Sequence, residues 1–337
     1  MKRIVGGLAL LAIGALSLAA CASGADGGSG SSGGADQVEF EKKSPLSIGY
    51  TAMDLSDPYF QRYAAGIESA AAEYDAEVIV VDARASQQTQ VSGSADLINQ
   101  GVSALIVSPI QPDALPATVD AAHEAKIPVI IGDVGAAGDY DAYILSDNAD
   151  GGTQAAEYFK TAFGDEEVQV GALELQAGIV VGEDRVNGFL DGIADSPNIQ
   201  VASQLVGQNV EDSFKAAQDM LTANPDLRAI YAANGPSAEG AARALEAAGI
   251  SIGDEFVLLG FNGDPVELEL IGEGKQSATI AQDPFEQGRM AVEVAMGLLD
   301  GEEPAFTDPS TRTINVPVSL VDESNLAEFQ KKLDEEG

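Results

Sequence analysis

The stretch LSIGYTAMDLSDPYFQRYAAGIESAAAEY, residues 46–74, decides the fold class. It begins with a nearly continuous apolar run at 46–52, which is typical of a strand buried on both faces of a sheet. Pro58 then starts an amphipathic segment that extends to residue 74 and predicts a helix. A strand followed by a helix is the unit from which parallel sheets are built.

The same alternation continues along the chain and restarts after Ser146. Further strands are predicted at 77–81, 104–107, 127–131, 168–173, 199–205, 229–232, 256–260, 278–281 and 313–320. Further helices are predicted up to about 100 and at 113–125, 210–221, 237–248, 284–299 and in the acidic tail. Two sheets of about five strands fit this length better than one sheet of ten. We therefore expect an α/β fold with two doubly wound parallel-sheet lobes.

Residues 1–21 have the organisation of a secretion signal. Lys2 and Arg3 precede an apolar segment at 4–18, and small residues then lead to Cys21, the only cysteine in the chain. The segment is shorter than the ~20 apolar residues that a spanning helix needs. The end of this region resembles the lipobox of bacterial lipoproteins, which implies a signal peptide at 1–20 and a lipidated Cys21 on the outer face of the cytoplasmic membrane. An ordinary signal peptide with an incidental cysteine is the alternative.

The composition limits the partners of the chain. The formal net charge is −37, from 54 acidic and 17 basic residues. A surface this acidic repels phosphate backbones, so we expect no nucleic-acid partner. Residues 22–36 are almost entirely Gly, Ser, Ala and Asp, which predicts a flexible tether because such a segment buries too little apolar surface to fold.

Ligands of open α/β sheets bind beyond the carboxyl ends of the strands, so residues that follow predicted strands are candidate ligand contacts. These residues are Asp54, Ser56, Asp57, Tyr59, Phe60, Ser108, Asp133, Arg185, Asn234, Asn262 and Gln282. Carboxylates accept pairs of hydroxyl donors, amides donate and accept, and a guanidinium donates in a fixed fork. Aromatic rings cover the C–H face of a sugar. The set therefore favours a sugar or polyol as the ligand.

Each candidate also has a structural interpretation. Asp54, Ser56 and Ser108 are residue types that cap helices and form turns. Arg185, the only basic residue between Lys160 and Lys215, has acidic neighbours at 183 and 184 and could instead form a surface ion pair.

Six motifs, in order, resemble those of periplasmic sugar-binding proteins of ABC importers, the ribose-binding type. They are Asp57-Pro58-Tyr59-Phe60, Ile127-Pro128-Val129-Ile130, Ser146-Asp147-Asn148, Arg185-Val186-Asn187-Gly188-Phe189, Gly260-Phe261-Asn262-Gly263 and Ala278-Thr279-Ile280-Ala281-Gln282. The resemblance covers residues 46–320 and implies a type I periplasmic-binding-protein fold, with a three-strand hinge and one ligand between the lobes. The implied organisation is a tether at 21–44, an N-terminal lobe at 45–146 and 283–315, and a C-terminal lobe at 147–282 and 316–337.

The resemblance also implies a ligand set. Its members are Asp57, Tyr59, Phe60, Ser108 and Asp133 in the first lobe and Arg185, Asn234, Phe261, Asn262 and Gln282 in the second. Tyr59 and Phe60 would stack on one sugar face, and Phe261 would approach the other. The ribose-binding pattern differs in having Asn at 57, Arg at 134, an aromatic residue near 208 and Asp at 262. These departures count against ribose itself and leave pentose, hexose, polyol and cyclitol open, with a nucleoside as a weaker candidate.

The implied function is that of a monomeric, lipid-anchored binding protein, without cofactor, metal or enzymatic activity, that delivers its ligand to an ABC permease and ATPase. A receptor component that docks a sensor protein is the alternative that sequence does not separate. A lipid-anchored carbohydrate-active enzyme is a further alternative, through carboxylates such as Asp54 and Asp57. The one histidine of the chain, His123, is expected to be a solvated helix residue and not a catalytic base. A repressor is rejected, because a secretion signal and a tether occupy the place of its basic DNA-binding segment.

Overall fold

The computed structural model describes residues 39–253 and 255–336. Lobe 1 is formed first, by β1 (Ser47–Ala52), α1 (Pro58–Glu73), β2 (Glu77–Asp82), α2 (Gln87–Gln100), β3 (Ala104–Val107), a 3₁₀ turn (Pro112–Ala114), α3 (Pro116–Glu124), β4 (Val129–Gly132) and β5 (Ala142–Ser146). Lobe 2 follows, with α4 (Asn148–Phe163), β6 (Val168–Glu174), α5 (Val180–Ile193), β7 (Ile199–Val206), α6 (Val210–Ala223), β8 (Leu227–Ala232), α7 (Gly235–Ala248), β9 (Val257–Asn262), α8 (Pro265–Gly272) and β10 (Ala278–Ala281). The last elements are α9 (Pro284–Leu299), β11 (Thr313–Val316), β12 (Ser319–Asp322) and α10 (Leu326–Glu335).

The strands form two six-stranded sheets, in the orders β11-β5-β4-β3-β1-β2 and β12-β10-β9-β8-β6-β7. All neighbours in both sheets are parallel except β12, which runs antiparallel to β10. Helices pack on both faces of each sheet, with separate clusters of buried apolar residues on each face. The predicted α/β fold with two doubly wound lobes is confirmed.

The chain passes between the sheets at three places: after β5, after β10, and between β11 and β12. Because these crossings directly follow strand ends, residues such as Ser146 and Gln282 lie where the two lobes meet.

Two predictions about strands were wrong. The single strand predicted at 313–320 is two strands, one in each sheet, and Pro317 lies between them. Proline has no N–H to continue a ladder, so the strand ends there. The strand Ala142–Ser146 was not predicted, although turn-forming residues at 138–141 precede it.

Glycines allow the helices that carry site residues to pack closely. A Cβ on Gly66 of α1 would lie 2.0 Å from the Phe285 carbonyl oxygen of α9, and one on Gly288 of α9 would lie 2.1 Å from the Tyr63 carbonyl oxygen. On lobe 2, a Cβ on Gly152 of α4 would lie 2.1 Å from the Arg185 carbonyl oxygen. These backbone contacts fix α1 and α5, the helices of Tyr59 and Arg185.

The residues before β1 differ from the predicted tether, which extended to 44. Phe40 packs against the core of lobe 1, and the Glu41 N–H donates to the Lys126 carbonyl at 3.1 Å. Lys43 Nζ donates to the Val102 carbonyl at 3.1 Å. The tether prediction is therefore wrong for 40–43, because one apolar ring and two specific hydrogen bonds hold this segment on lobe 1.

The predicted signal peptide, Cys21 and most of the predicted tether lie outside the described residues. Within 39–253 and 255–336, none of the helices combines the length and the apolar composition that crossing a membrane requires.

Candidate ligand-binding site

Three residues of the predicted ligand set, Asp57, Tyr59 and Phe60, lie at the start of α1. Asp57 is the N-cap of the helix, and its carboxylate accepts from the Tyr59 N–H at 2.9 Å. Asp54 Oδ1 accepts from the Ser56 N–H at 2.9 Å and from the Ser56 hydroxyl at 2.8 Å. Asp54 and Ser56 therefore form a turn, which was the structural interpretation of these two candidates. Asp57 also remains exposed at the helix end, where it can accept from a ligand.

Tyr59 and Phe60 are in contact but differ in exposure. Their rings meet edge to face, with centroids 5.1 Å apart. Phe60 is 5% exposed and belongs to the core, whereas Tyr59 is only partly buried. The Tyr59 hydroxyl donates to Gln287 Oε1 of α9 at 2.9 Å. Tyr59 is therefore the ring of this pair that a ligand can reach more readily.

Asp133 directly follows β4 with a φ of +66°, a left-handed conformation that places it at the carboxyl edge of sheet 1. Burial raises its pKa, the nearby charge of Asp57 raises it further, and Arg185 of lobe 2 and the Tyr59 hydroxyl oppose both effects. Tyr143 donates to the Asp133 carbonyl at 2.9 Å. Because Arg185 acts electrostatically on Asp133, opposite charges of the two lobes face each other across the gap between them.

Ser108 is fully buried after β3. Its hydroxyl lies 3.0 Å from the Tyr50 hydroxyl, and its carbonyl accepts from Gln90 Nε2 at 2.8 Å. A direct contact between Ser108 and a ligand remains a prediction.

Arg185 lies in the second turn of α5. It is 4% exposed, so the surface ion-pair alternative is wrong. Nε donates to Asn148 Oδ1 at 2.8 Å, and one terminal nitrogen donates to the Ala233 carbonyl at 3.0 Å. The guanidinium carbon lies 3.9 Å from the centroid of the Phe261 ring. The fork is thus held in place by residues of lobe 2.

Phe261 is fully buried, and Arg185 covers one of its faces. In the described geometry the ring supports the guanidinium through a cation–π contact. Stacking of Phe261 on a sugar remains a prediction.

Asn262 and Gln282 accept hydrogen bonds from Arg185 at strand ends of sheet 2, and Asn234 directly follows Ala233, whose carbonyl Arg185 also meets. Asn234 is the N-cap of α7 and accepts from the Ser237 N–H at 2.8 Å. Asn262 has a φ of +135°, which costs a non-glycine residue conformational energy and is typical of functional positions. Its Oδ1 accepts from Gln282 Nε2 at 3.1 Å and from Arg185 at 3.4 Å.

Beneath Asn262 lie two acidic residues that sequence reasoning missed. Glu267 is fully buried and accepts from the Gly263 N–H at 2.9 Å and from Gln276 Nε2 at 2.9 Å. Burial, together with the neighbouring carboxylate of Asp264, raises the pKa of Glu267 to about 7. These groups hold the loop that carries Asn262.

Three further residues between the lobes were also missed as site residues: Ser146, Asn148 and Gln287. Ser146 and Asn148 were noticed only as part of a motif. Gln287 is one turn into α9 and gave no signal, because its distance from the cleft depends on how α9 packs against α1.

His123 differs from its predicted solvated state. Its Nε2 lies 3.0 Å from Asp141 Oδ2, and its ring is 5.9 Å from that of Phe40. The hydrogen bond with Asp141 raises the pKa of His123. The histidine therefore holds the segment before β1 on lobe 1, on the side opposite the carboxyl ends of the strands. Across 39–253 and 255–336, no three His, Cys, Asp or Glu side chains are grouped closely enough to hold a metal ion.

The site as a whole offers acceptors from lobe 1, the carboxylates of Asp57 and Asp133, and donors from lobe 2, the N–H groups of Arg185 and Gln282. A small molecule that carries several hydroxyls satisfies both sides, because each hydroxyl both donates and accepts.

Comparison with known proteins agrees with this geometry. Residues 48–303 match the model of the periplasmic binding protein domain. The chain is 30% identical to the ribose import binding protein of Bacillus subtilis, over 95% of this chain and 99% of the relative.

Among solved structures, a solute-binding protein of Actinobacillus succinogenes with bound D-allose is 28% identical, with a TM-score of 0.74 over 84% of this chain and 99% of that one. A solute-binding protein of Bacillus halodurans with bound myo-inositol is 25% identical, with a TM-score of 0.72 over 85% and 98%. The curated relatives are transport binding proteins and not enzymes. The chain belongs to the periplasmic binding protein family.

Proposed function

We propose that this protein is the extracytoplasmic solute-binding component of an ABC importer, which captures a monosaccharide or polyol between its lobes and delivers it to the permease and its ATPase. The observation that carries the proposal is the buried guanidinium of Arg185, held in a fixed orientation by lobe 2 and acting on Asp133 of lobe 1. A cation fixed opposite a carboxylate, with hydroxyl-binding amides beside it, suits a polyhydroxylated guest.

The relatives support this class of ligand. The relatives described above are a ribose import binding protein and two proteins with bound D-allose or myo-inositol, and all three compounds are polyhydroxylated and uncharged. Closure of two lobes around such a molecule would give a permease a form of the protein that it can distinguish from the open one.

A thermal-shift screen of about a hundred sugars and polyols tests the proposal, because a ligand that binds only the native state raises the melting temperature. Isothermal titration then measures the affinity for each compound that shifts it. We expect Arg185→Ala to weaken binding at least about tenfold, since hydroxyls would be left unpaired in a buried site. Arg243→Ala, in an exposed ion pair of lobe 2, is the matched control and keeps the wild-type affinity. A screen without any shift contradicts the proposal, as does turnover of a compound that binds.

We further propose that lipid on Cys21 anchors the protein to the outer face of the cytoplasmic membrane. The order of charged, apolar and small residues before Cys21 supports this. Expression of the wild type and of Cys21→Ser, followed by detergent partitioning and intact mass, tests it. The wild type should enter the detergent phase with added acyl mass, and Cys21→Ser should stay in the aqueous phase; equal partitioning of the two contradicts the anchor.

A further inference from the structure

A chain of hydrogen bonds, buried except at its Tyr59 end, connects the predicted ligand residues of the two lobes. Tyr59 donates to Gln287 Oε1 at 2.9 Å, and Gln287 Nε2 donates to Ser146 Oγ at 3.0 Å. Ser146 in turn donates to Gln282 Oε1 at 2.9 Å. Ser146 and Gln287 are 2% and 0% exposed, and neither belongs to the predicted ligand set.

The direction of every bond in this chain follows from Arg185. Arg185 donates to Gln282 at 3.2 Å, and a guanidinium has no acceptor, so the Gln282 atom it meets is the carbonyl oxygen. Ser146 meets the same oxygen and must therefore donate its only hydrogen there. The Ser146 oxygen then accepts from the Gln287 amide nitrogen, which turns the Gln287 oxygen toward Tyr59.

Two consequences follow for the ligand. Gln282 Oε1 already accepts two hydrogen bonds, and Nε2 uses one of its two hydrogens on Asn262 at 3.1 Å, so Gln282 has a donor left to offer. The Tyr59 hydroxyl has a single hydrogen, which it donates to Gln287 Oε1. Gln287 therefore competes for that hydrogen with the neighbouring Asp133, whose pKa the Tyr59 hydroxyl lowers, and leaves the Asp133 carboxylate more open to donors of the ligand.

We propose that Ser146 and Gln287 are positioning residues of the ligand site, a relay that draws the Tyr59 hydrogen toward Gln287 and away from Asp133, and that keeps Gln282 a donor. The ligand must then donate to Asp133 and accept from Gln282. This inference rests on the proposed function, because it assigns roles within the same site.

Several groups face Asp133, and the hydrogens of its other tyrosine neighbours could also reach its carboxylate. They are Tyr50 from β1, Asp57, Tyr59 and Tyr63 from α1, Tyr143 from β5 and Arg185 from α5. Tyr50 is paired with Ser108, and Tyr143 donates to the Asp133 carbonyl. The Tyr63 hydroxyl bonds to none of the described residues, Asp133 included, so Tyr59 is the phenol whose hydrogen the relay redirects.

The test compares Gln287→Met in the wild-type and in the Tyr59→Phe background, with D-ribose, D-allose and myo-inositol as titrants. In the wild-type background, the substitution frees the Tyr59 hydrogen for Asp133, where it competes with the ligand. We expect the affinity to fall about threefold to tenfold, which is the change expected when one hydrogen bond to the ligand is weakened. In the Tyr59→Phe background there is no hydrogen to free, so we expect a change of less than about twofold.

A buried glutamine outside the relay supplies the control. Gln276 is 2% exposed and bonds to Glu267 and to the Ala278 carbonyl. Gln276→Met should have the same effect on affinity in both backgrounds. If Gln287→Met also lowers the affinity equally in the wild-type and Tyr59→Phe backgrounds, Tyr59 and Gln287 act independently and the relay is overturned.

A second cycle needs no ligand. Ser146→Ala and Gln287→Met remove the two ends of one hydrogen bond, so their effects on the urea midpoint should be less than additive. Additive effects overturn the relay even when sugars bind. If none of the titrants binds the wild type, this cycle still decides whether the relay exists, while the sugar screen decides separately on the proposed function.

Discussion

Replacement of Arg185 by alanine should destabilise the protein even without ligand. The substitution removes the donors of two buried acceptors, Asn148 Oδ1 and the Ala233 carbonyl, and each orphaned acceptor costs about 1–3 kcal/mol. It also removes the cation–π contact with Phe261, which contributes about 2 kcal/mol when desolvated. The guanidinium no longer has to be buried, which offsets part of this loss. We expect a net decrease of about 3 kcal/mol in the free energy of unfolding, the low end for breaking a buried charged network.

Urea unfolding of the wild type, Arg185→Ala, Arg185→Lys and Arg243→Ala measures this decrease. Arg185→Lys keeps the charge but loses the planar fork, so it should also be destabilised. Arg243→Ala removes an exposed pair and should change the free energy by less than about 1 kcal/mol. Equal midpoints for Arg185→Ala and Arg243→Ala would refute the reasoning, because the guanidinium would then not be satisfying buried acceptors.

Three other predictions concern groups outside the ligand set. The buried Tyr63 hydroxyl has no hydrogen-bond partner among the described residues, so Tyr63→Phe should raise the free energy of unfolding by about 1 kcal/mol in a urea titration; a decrease would reveal a missed partner. The Asp141 contact raises the His123 pKa, so the stability it adds is complete below about pH 6.5 and is lost as pH rises through the folded-state value. His123→Gln should therefore be most destabilised, relative to wild type, at pH 6 and least at pH 9; a difference independent of pH contradicts this. For the buried carboxyl of Glu267 the folded pKa is about 7, above its ordinary value, so stability falls as pH rises from about 4.5 to 7. Glu267→Gln should gain stability over the wild type at pH 8 compared with pH 5, and an unchanged difference in urea midpoints would contradict the burial argument.

The order of secondary structure was readable from the sequence because buried parallel strands are short continuous apolar runs, whatever their neighbours. The strand Ala104–Val107 was predicted to the residue for this reason. The strand Ala142–Ser146 was missed although turn-forming residue types, Gly138 and Asp139, lie just before its short apolar run. Asp133 and Arg185 were identified as candidates because chain position after a strand places a residue at the carboxyl edge of a parallel sheet.

The partners of those candidates could not be read in the same way. Gln287 lies 228 residues from Tyr59 in the chain, and their hydrogen bond exists only because α1 and α9 pack closely through small residues. The burial of Arg185 and the engagement of His123 with Asp141 were likewise decided by neighbours from other elements. By itself the sequence determined the alternation of strands and helices and the strand ends that carry polar groups, because these depend on local patterns. Only the tertiary structure decided which donors meet which acceptors, because a hydrogen bond requires two atoms within about 3 Å and local patterns do not fix distances between remote segments.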